Sequence, residues 1–222
     1  MVRKLLICPW FGPLPEWMPK YMENIKALKE KGYDFLITHD LEDFNRRCEE
    51  KLGFKSPIIP GTGKLHDFRP ALGLLYEEEL KGYDFWGHTD FDCVYGRVDK
   101  FVTDELLKDL DIQSNHIDYI CGPWTLYRNT PKINRLFQEY PHWKERMEDP
   151  HSSGWAEFQD GFTGVVDRNH NEGKIRRLYT YWQGKDHNII DNVHYEGDRL
   201  MDGDLEIMMF HFRRVKQWPI KS

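Results

Sequence analysis

Two carboxylates stand one residue apart in the segment His88-Thr89-Asp90-Phe91-Asp92. Their oxygens can bind one hard cation, and such a cation neutralises a diphosphate, as Mg²⁺ or Mn²⁺ does in phosphate chemistry. The alternative is a solvated loop, since a D-x-D pair arises by chance in an acidic chain. The pair lies just beyond a strand-like apolar segment, 83–87. Because ligands of open α/β sheets bind beyond the carboxyl ends of strands, this position favours a cation site.

Two further groups of residues could do chemistry. In Lys64-Leu65-His66-Asp67-Phe68-Arg69-Pro70, Arg69 suits a phosphate because its guanidinium donates parallel hydrogen bonds. The plainer interpretation makes Asp67 a helix cap and Arg69 a surface ion-pair partner. Near the end of the chain, His211 leaves an apolar strand and could complete a metal site, and Lys216 follows within reach of a phosphate. A structural or exposed histidine is the alternative there.

The hydrophobic pattern predicts the elements that would position these groups. An apolar run at 2–8, an amphipathic segment at 19–31 and a second apolar run at 33–38 form a strand–helix–strand unit, which is typical of a parallel sheet. Further helices are predicted at 41–52, 67–80, 102–110 and 131–140, and further strands at 83–87, 119–122, 162–166 and 207–212. Residues 141–160 are polar and weakly periodic, so we predict loops that line a site. No repeat or linker interrupts the 222 residues, and we expect one domain.

Composition narrows the class of protein. The formal charge of −6 argues against nucleic acid as a partner, since phosphate backbones call for a basic face. Four widely spaced cysteines without a C-x-x-C pair predict free thiols and a reducing compartment. No apolar run has the length of a membrane span or the form of a signal peptide. We therefore expect a cytoplasmic protein without a transmembrane segment.

The three groups together resemble one family. The motifs K-x-x-D-x-R at 64–69, F-W-G-H-x-D-x-D at 85–92 and H-F…K-x-W at 211–218 are similar to those of D-x-D glycosyltransferases of the GT-A fold. Small bacterial and viral enzymes of capsule, lipopolysaccharide or glycan synthesis are the most similar. The last motif departs from the family's pattern, because its His-to-Lys gap is one residue shorter and Gln217 replaces the usual Pro. The resemblance implies a Rossmann-like, nucleotide-binding, mostly parallel sheet flanked by helices, with a nucleotide half at about 1–122 and an acceptor half at about 123–222.

The resemblance also implies an activity and a role for single residues. The activity is metal-dependent transfer of a sugar from a nucleotide-sugar to the hydroxyl of a glycan or another acceptor. Asp92 and His211 would bind Mn²⁺ or Mg²⁺ directly, and Asp90 would contact the ribose and reach the metal through water. The other donor contacts would come from Lys64, Asp67 and Arg69 at the sugar and diphosphate, Lys216 at the phosphates, and Trp10, Phe11 and Asp40 at the base and ribose. Uridine diphosphate is the expected leaving group, and retention of anomeric configuration is favoured.

Candidates on the acceptor side lie in the loop 154–161. Glu157 or Asp160 would deprotonate the acceptor hydroxyl in an inverting enzyme, or orient the substrate in a retaining one. The alternative is that both carboxylates only solvate a loop. Aromatic residues that could face an acceptor are Trp124, Tyr127, Trp155 and Trp182.

Two other functions stay open. The eight tryptophans suggest a non-catalytic carbohydrate-binding module, although such a module would not need converging acidic and basic motifs. A sugar-phosphate nucleotidyltransferase would use a similar sheet and a metal. Against it, the loop at 9–15 contains one Gly and no basic residue to hold a triphosphate.

Overall fold

The N-terminal part of the chain forms two strand–helix units. The computed structural model describes residues 1–120, 122–151, 154–183, 192–212 and 218–220. Strand β1 (Lys4–Pro9) leads to helix α1 (Met18–Lys29), and strand β2 (Tyr33–Thr38) leads to helix α2 (Leu41–Leu52). β1 is buried along its whole length because both of its faces are covered. Alternate residues of β1 enter two separate apolar clusters, Leu5 and Ile7 in one and Leu6 and Cys8 in the other.

Local chemistry sets the ends and the buried face of these helices. α2 begins at a cap, where the Asp40 carboxylate accepts a hydrogen bond from the amide of Asp43 at 2.9 Å. α1 turns Tyr21, Ile25 and Leu28 inward at helical spacing. The two helices and the two strands predicted in this region are confirmed.

The segment that precedes the D-x-D motif is more tightly wound than a continuous α-helix. The helix predicted at 67–80 is a 3₁₀-helix, Gly63–Ala71, followed by one turn of α-helix, α3 (Leu72–Leu75). Pro70 lies inside the segment and lacks the amide hydrogen that an α-helix uses there. Strand β3 (Phe85–Thr89) follows and ends immediately before Asp90.

The remaining elements complete a six-stranded sheet. In chain order they are β4 (Cys93–Tyr95), α4 (Val98–Phe101), α5 (Asp104–Lys108), β5 (Ile112–Ser114), β6 (Trp124–Arg128), α6 (Pro131–Asn134), a 3₁₀-helix (Leu136–Glu139), α7 (Trp143–Glu148), α8 (Phe162–Asn171), β7 (Arg177–Tyr179), β8 (Val193–Glu196), β9 (Arg199–Asp202), β10 (Leu205–Ile207) and β11 (Met209–His211). The strand order is β2-β1-β3-β6-β5-β7. β1 pairs in parallel with β2 and β3, and β5 with β7, whereas β6 is antiparallel to both neighbours. The expected α/β fold with a mostly parallel central sheet flanked by helices is confirmed.

Two smaller sheets accompany the main one. β8, β9 and β10 form an antiparallel meander. β11 pairs antiparallel with β4, which places His211 opposite Cys93. Within the ranges that the structure describes, no helix has both the length and the apolar character to cross a membrane.

Two strand predictions are wrong, and one loop prediction is wrong for part of its range. The described residues of 119–122 form no strand, and 162–166 is the start of α8. Phe162, Val165 and Val166 lie on the buried face of that helix, with the i, i+3, i+4 spacing that a segment of five residues is too short to establish. The region 141–160, predicted as loops, contains α7 at Trp143–Glu148, and its other described residues belong to no helix or strand.

Candidate active site

A cavity of about 730 Å³ opens at the carboxyl ends of β1 and β3. The exit of β1 contributes residues 8–10, and the exit of β3 contributes residues 88–92. The other lining residues come from β1, the 3₁₀ segment, α3, β11 and several loops: Ile7, Leu14, Pro15, Glu16, Trp17, Leu65, His66, Arg69, Leu72, His116, Tyr119, Gly122, Pro123, Glu157, Gln183 and His211. The volume suits a small-molecule ligand, and the position is where open α/β sheets bind one.

Arg69 and Asp90 form an ion pair in the wall of this cavity. Arg69 Nη2 donates to Asp90 Oδ1, and Arg69 Nη1 donates to the carbonyl oxygen of Gly122 at 3.3 Å. Burial by itself would raise the pKa of Asp90, but the charges of Arg69 and His211 outweigh burial and hold that pKa below its ordinary value. Asp90 is therefore an anion, and its second oxygen, Oδ2, lies 3.8 Å from His211 Nε2.

Strand pairing brings Asp92 and His211 together. Asp92 directly precedes β4 and His211 is the last residue of β11, the strand paired with β4. The Phe212 amide extends this pairing by donating to the Asp92 carbonyl oxygen at 2.9 Å. As a result, His211 Nε2 lies 3.2 Å from Asp92 Oδ1. The three residues predicted as metal ligands converge on one point.

This donor set fits a hard divalent cation. Carboxylate oxygens and an imidazole nitrogen suit Mn²⁺, and carboxylates suit Mg²⁺. Asp92, Cys93 and His211 each offer a ligand atom within 4.8 Å of the other two. Burial raises the pKa of the Cys93 thiol well above its ordinary value, which disfavours the thiolate as a ligand. Asp92 and His211 are the better pair, with Asp90 beside them.

His88 lines the cavity, a position that the sequence did not predict for it. It is 2% exposed, and its Nε2 lies 3.0 Å from the Gly122 carbonyl oxygen. Since a carbonyl oxygen only accepts, Nε2 carries the hydrogen. Burial, assisted by the charge of Arg69, lowers the pKa of His88 to about 3, so the ring is neutral. Arg69 and His88 thus share one acceptor and fasten the exit of β3 to the loop at 122–123.

Lys64 and Asp67, both predicted to contact the donor, are fully buried and do not line the cavity. Lys64 Nζ lies 2.9 Å from Asp67 Oδ2. Lys64 also donates to the Arg146 carbonyl oxygen at 2.6 Å, and Asp67 Oδ1 accepts from the Gly154 amide at 2.9 Å. In this structure the pair joins the 3₁₀ segment to α7 and to the loop that carries Glu157.

The residues predicted to hold the base and ribose are divided. Trp10 lines the cavity, with its ring centroid 5.4 Å from that of Phe91. Phe11 is 7% exposed and packs in the core, and Asp40 is the exposed cap of α2, so neither lines the cavity. Lys216, predicted at the phosphates, lies outside the described residues.

The acceptor-side candidates are separated in the same way. Glu157 lines the cavity, whereas Asp160 is exposed and lies outside its walls. Three predicted aromatic platforms cannot present a ring face, because Trp124, Tyr127 and Trp155 are at most 2% exposed. That prediction is wrong for these three. Trp182 is half-buried and packs against Phe101 rather than lining the cavity.

Several residues that line the cavity were not predicted from the sequence, because β5 was not predicted. β6 is antiparallel to both β3 and β5, so β5 runs in the direction of β3 and ends at the same edge of the sheet. The loop after β5 brings His116 and Tyr119 to the cavity, with their rings stacked at 3.5 Å. Gln183, which follows β7, reaches it for the same reason. A correct strand assignment at 112–114 would have pointed to these residues.

Residues 36–202 match the family described as a family of unknown function (DUF6625). The chain belongs to this family. The matched segment contains Arg69, both carboxylates of the D-x-D motif and Glu157, and it ends before His211. A search of curated proteins found no match to this DUF6625 chain.

Solved structures resemble this DUF6625 chain at low sequence identity. One is the crystal structure of a glycosyltransferase involved in the glycosylation of the major capsid of the virus PBCV-1, with a TM-score of 0.55 and 12% identity, covering 96% of this chain and 94% of that one. Another is mouse xyloside xylosyltransferase 1 in its apo form, with a TM-score of 0.45 and 9% identity, covering 95% of this chain and 98% of that one. The first likeness shows a shared fold over nearly the whole length of both chains.

Proposed function

We propose that this chain is a metal-dependent glycosyltransferase that moves a sugar from a nucleotide-sugar, a UDP-sugar in particular, to the hydroxyl of a glycan or another acceptor. The observation that carries the proposal is the convergence of Asp90, Asp92, His211 and Arg69 on one cavity at the carboxyl ends of parallel strands. The fold shared with a viral glycosyltransferase supports it.

The donor would bind along the wall formed by β1 and β3. Asp92 and His211 would hold Mn²⁺ or Mg²⁺ with help from Asp90, and the bound cation would neutralise charge on the diphosphate. Trp10 would stack on the base at the exit of β1, where its indole lines the cavity. Arg69 would stabilise charge on the diphosphate or hold the sugar, and Lys216 would contact the phosphates.

The reaction joins the acceptor oxygen to the anomeric carbon of the donor sugar. As that bond forms, the bond from the anomeric carbon to the diphosphate oxygen breaks, and its electron pair leaves with the nucleotide diphosphate. The acceptor's proton passes to Glu157 in an inverting reaction, or to the leaving diphosphate in a retaining one. Glu157 is better placed than Asp160, because it lines the cavity. We favour retention, which the anomeric coupling constant of the product in a ¹H NMR spectrum tests directly.

We also propose that the chain works as one domain with a donor half at about 1–122 and an acceptor half at about 123–222. The main sheet supports this proposal, because β6 and β7 from the second half are paired into the same sheet as β1 and β3. A reducing, cytoplasmic setting is proposed from Cys8, Cys48 and Cys93, which are all buried free thiols.

Calorimetric titration of the chain with UDP, with and without Mn²⁺, tests the proposed function. We expect binding that requires Mn²⁺, is lost in Asp92→Ala and is kept in Asp198→Ala, an exposed carboxylate that does not line the cavity. A panel of UDP-sugars then identifies the donor by the release of UDP. Saccharide binding without any nucleotide binding would favour a carbohydrate-binding module instead. Release of pyrophosphate from a nucleoside triphosphate and a sugar phosphate would favour a nucleotidyltransferase.

A further inference from the structure

Trp17 makes a hydrogen bond to the centre of the D-x-D motif. It lies at the start of α1 and lines the cavity, and its indole Nε1 donates to the carbonyl oxygen of Phe91 at 2.8 Å. Phe91 is the residue between the two carboxylates, so this bond fixes the backbone from which Asp90 and Asp92 both project. The bond spans 74 residues of sequence and is not local to the turn that carries Trp17.

The same indole contacts the segment that carries His211. Its ring lies edge-on to that of Phe212, with centroids 5.5 Å apart and an interplanar angle of 74°. Phe212 is fully buried, follows His211 directly, and donates its amide hydrogen to the Asp92 carbonyl oxygen at 2.9 Å. One side chain therefore touches the sequence neighbours of both residues that converge at 3.2 Å in the cavity.

We propose that Trp17 is a positioning residue that sets the separation of Asp92 and His211 and so the affinity of their site for a divalent cation. This inference rests on the metal site of the proposed function. Groups that orient metal ligands without touching the metal commonly change its affinity by ten- to a hundredfold, roughly, when they are removed. The hydrogen bond to Phe91 aligns one ligand segment, and the contact with Phe212 aligns the other.

Trp10 provides a matched control. It too is a partly exposed tryptophan that lines the cavity and packs against Phe91. Its indole Nε1, however, donates to the carbonyl oxygen of Pro13 at 2.9 Å, within its own loop. Trp10→Phe keeps an aromatic ring beside Phe91 and removes an indole hydrogen bond that reaches neither ligand segment.

The experiment is a Mn²⁺ titration of the nucleotide-free chain, followed by electron paramagnetic resonance of free and bound Mn²⁺, on the wild type, Trp17→Phe and Trp10→Phe. We expect Trp17→Phe to raise the Mn²⁺ Kd by about tenfold and to change the line shape of the bound signal, whereas Trp10→Phe keeps both within twofold of wild type. Circular dichroism and thermal melting confirm that the variants are folded. If Trp17→Phe does not fold, Phe212→Leu, which removes the second contact, is expected to show the same rise.

Two outcomes would overturn the inference, and they are distinguishable. Equal Mn²⁺ affinity and line shape in wild type and folded Trp17→Phe would make Trp17 an ordinary packing residue and leave the proposed function intact. Failure of the wild type itself to bind Mn²⁺ would remove the metal site, and the inference with it.

Discussion

Arg69 occupies one oxygen of Asp90 and leaves the other within 3.8 Å of His211. The guanidinium also donates to the carbonyl oxygen of Gly122, which His88 contacts as well. The orientation of Asp90 is therefore set by a planar group that the Gly122 carbonyl oxygen holds in place. A carboxylate held in this way presents a single oxygen to the cavity in a defined direction, as a cation ligand or a ribose contact requires.

Replacing Arg69 tests how much this orientation matters. Arg69→Lys keeps the positive charge, but one ammonium cannot reproduce the planar fork that reaches both Asp90 and Gly122. We expect Mn²⁺-dependent UDP binding to weaken about tenfold, or ~1.4 kcal/mol, measured by calorimetry. Arg47→Lys is the control, since Arg47 pairs with Asp43 and Glu79 away from the cavity. Unchanged UDP affinity in Arg69→Lys would contradict the role given to the guanidinium.

The two carboxylates proposed for the acceptor side differ in position, and turnover should reflect this difference. Glu157→Gln is expected to lower kcat by about 100-fold, because a proton acceptor or orienting group at the reacting hydroxyl contributes that order of rate. UDP affinity should stay the same. Asp160→Asn, outside the cavity walls, should keep kcat within about threefold. The reverse ranking of the two variants would move the acceptor site to the outer part of the loop.

The buried pair of Lys64 and Asp67 predicts a large loss of stability. Lys64→Met leaves Asp67 as a buried anion without its cation, which costs about 3–5 kcal/mol in comparable pairs. The midpoint of urea unfolding should fall accordingly. Lys81→Met is the control, because Lys81 pairs with Glu78 at a largely exposed position, and its effect should stay within about 0.5 kcal/mol. A folded Lys64→Met of wild-type stability, with weakened UDP binding, would restore Lys64 to the donor contacts.

The ion pairs of Glu206, in the three-stranded sheet of β8, β9 and β10, lead us to expect a loss of stability at acid pH. Arg97, with help from Lys100, lowers the pKa of Glu206 from its ordinary value of 4.5 to about 2. A lowered folded-state pKa means that the stabilisation is complete above pH 4.5 and is lost as the pH falls toward 2. Glu206→Gln should therefore lower the Tm at pH 7 and have a progressively smaller effect below pH 4.5.

The control for Glu206 is Glu105→Gln, because Glu105 is 79% exposed and pairs only with Lys108 within its own helix among the described contacts. Its effect on the Tm should be small at every pH. If Glu206→Gln lowered the Tm equally at pH 3 and pH 7, the stabilisation would not come from the ionised Glu206 carboxylate.

The sequence predicted the elements whose pattern is long and periodic. α1, α2, β1 and β2 were predicted correctly because their apolar spacing extends over full elements. The candidate site at the exit of β3 was predicted for a related reason, since the D-x-D motif follows a buried strand. At this point a metal-binding type of motif and the ligand-binding edge of the sheet occur together.

Short segments and long-range contacts could not be predicted in this way. β5 has three residues, too few to show alternation of apolar and polar side chains. Because this strand was not predicted, His116 and Tyr119 in the loop after it were not recognised as cavity residues. The segment from Phe162 to Val166 is too short to separate a strand from a helix, and its helical spacing continues to the buried Asn169. Lys64 and Asp67 have the residue types of a ligand site. Their burial against α7 depends on a contact with Arg146, which no local pattern shows.

The pairing of β4 with β11 also links the assembly of the site to the folding of the chain. The carboxylates of the D-x-D motif lie just before β4, and the pairing of β11 with β4 places the imidazole of His211 beside them. A chain in which β11 is not paired with β4 would have the carboxylates but not the assembled site. Any cation that binds only the docked arrangement draws the folding equilibrium toward it by mass action. Binding of such a cation should therefore slow hydrogen exchange of the Phe212 amide, which donates to the Asp92 carbonyl oxygen. Cation binding and the pairing of β11 with β4 would then stabilise each other.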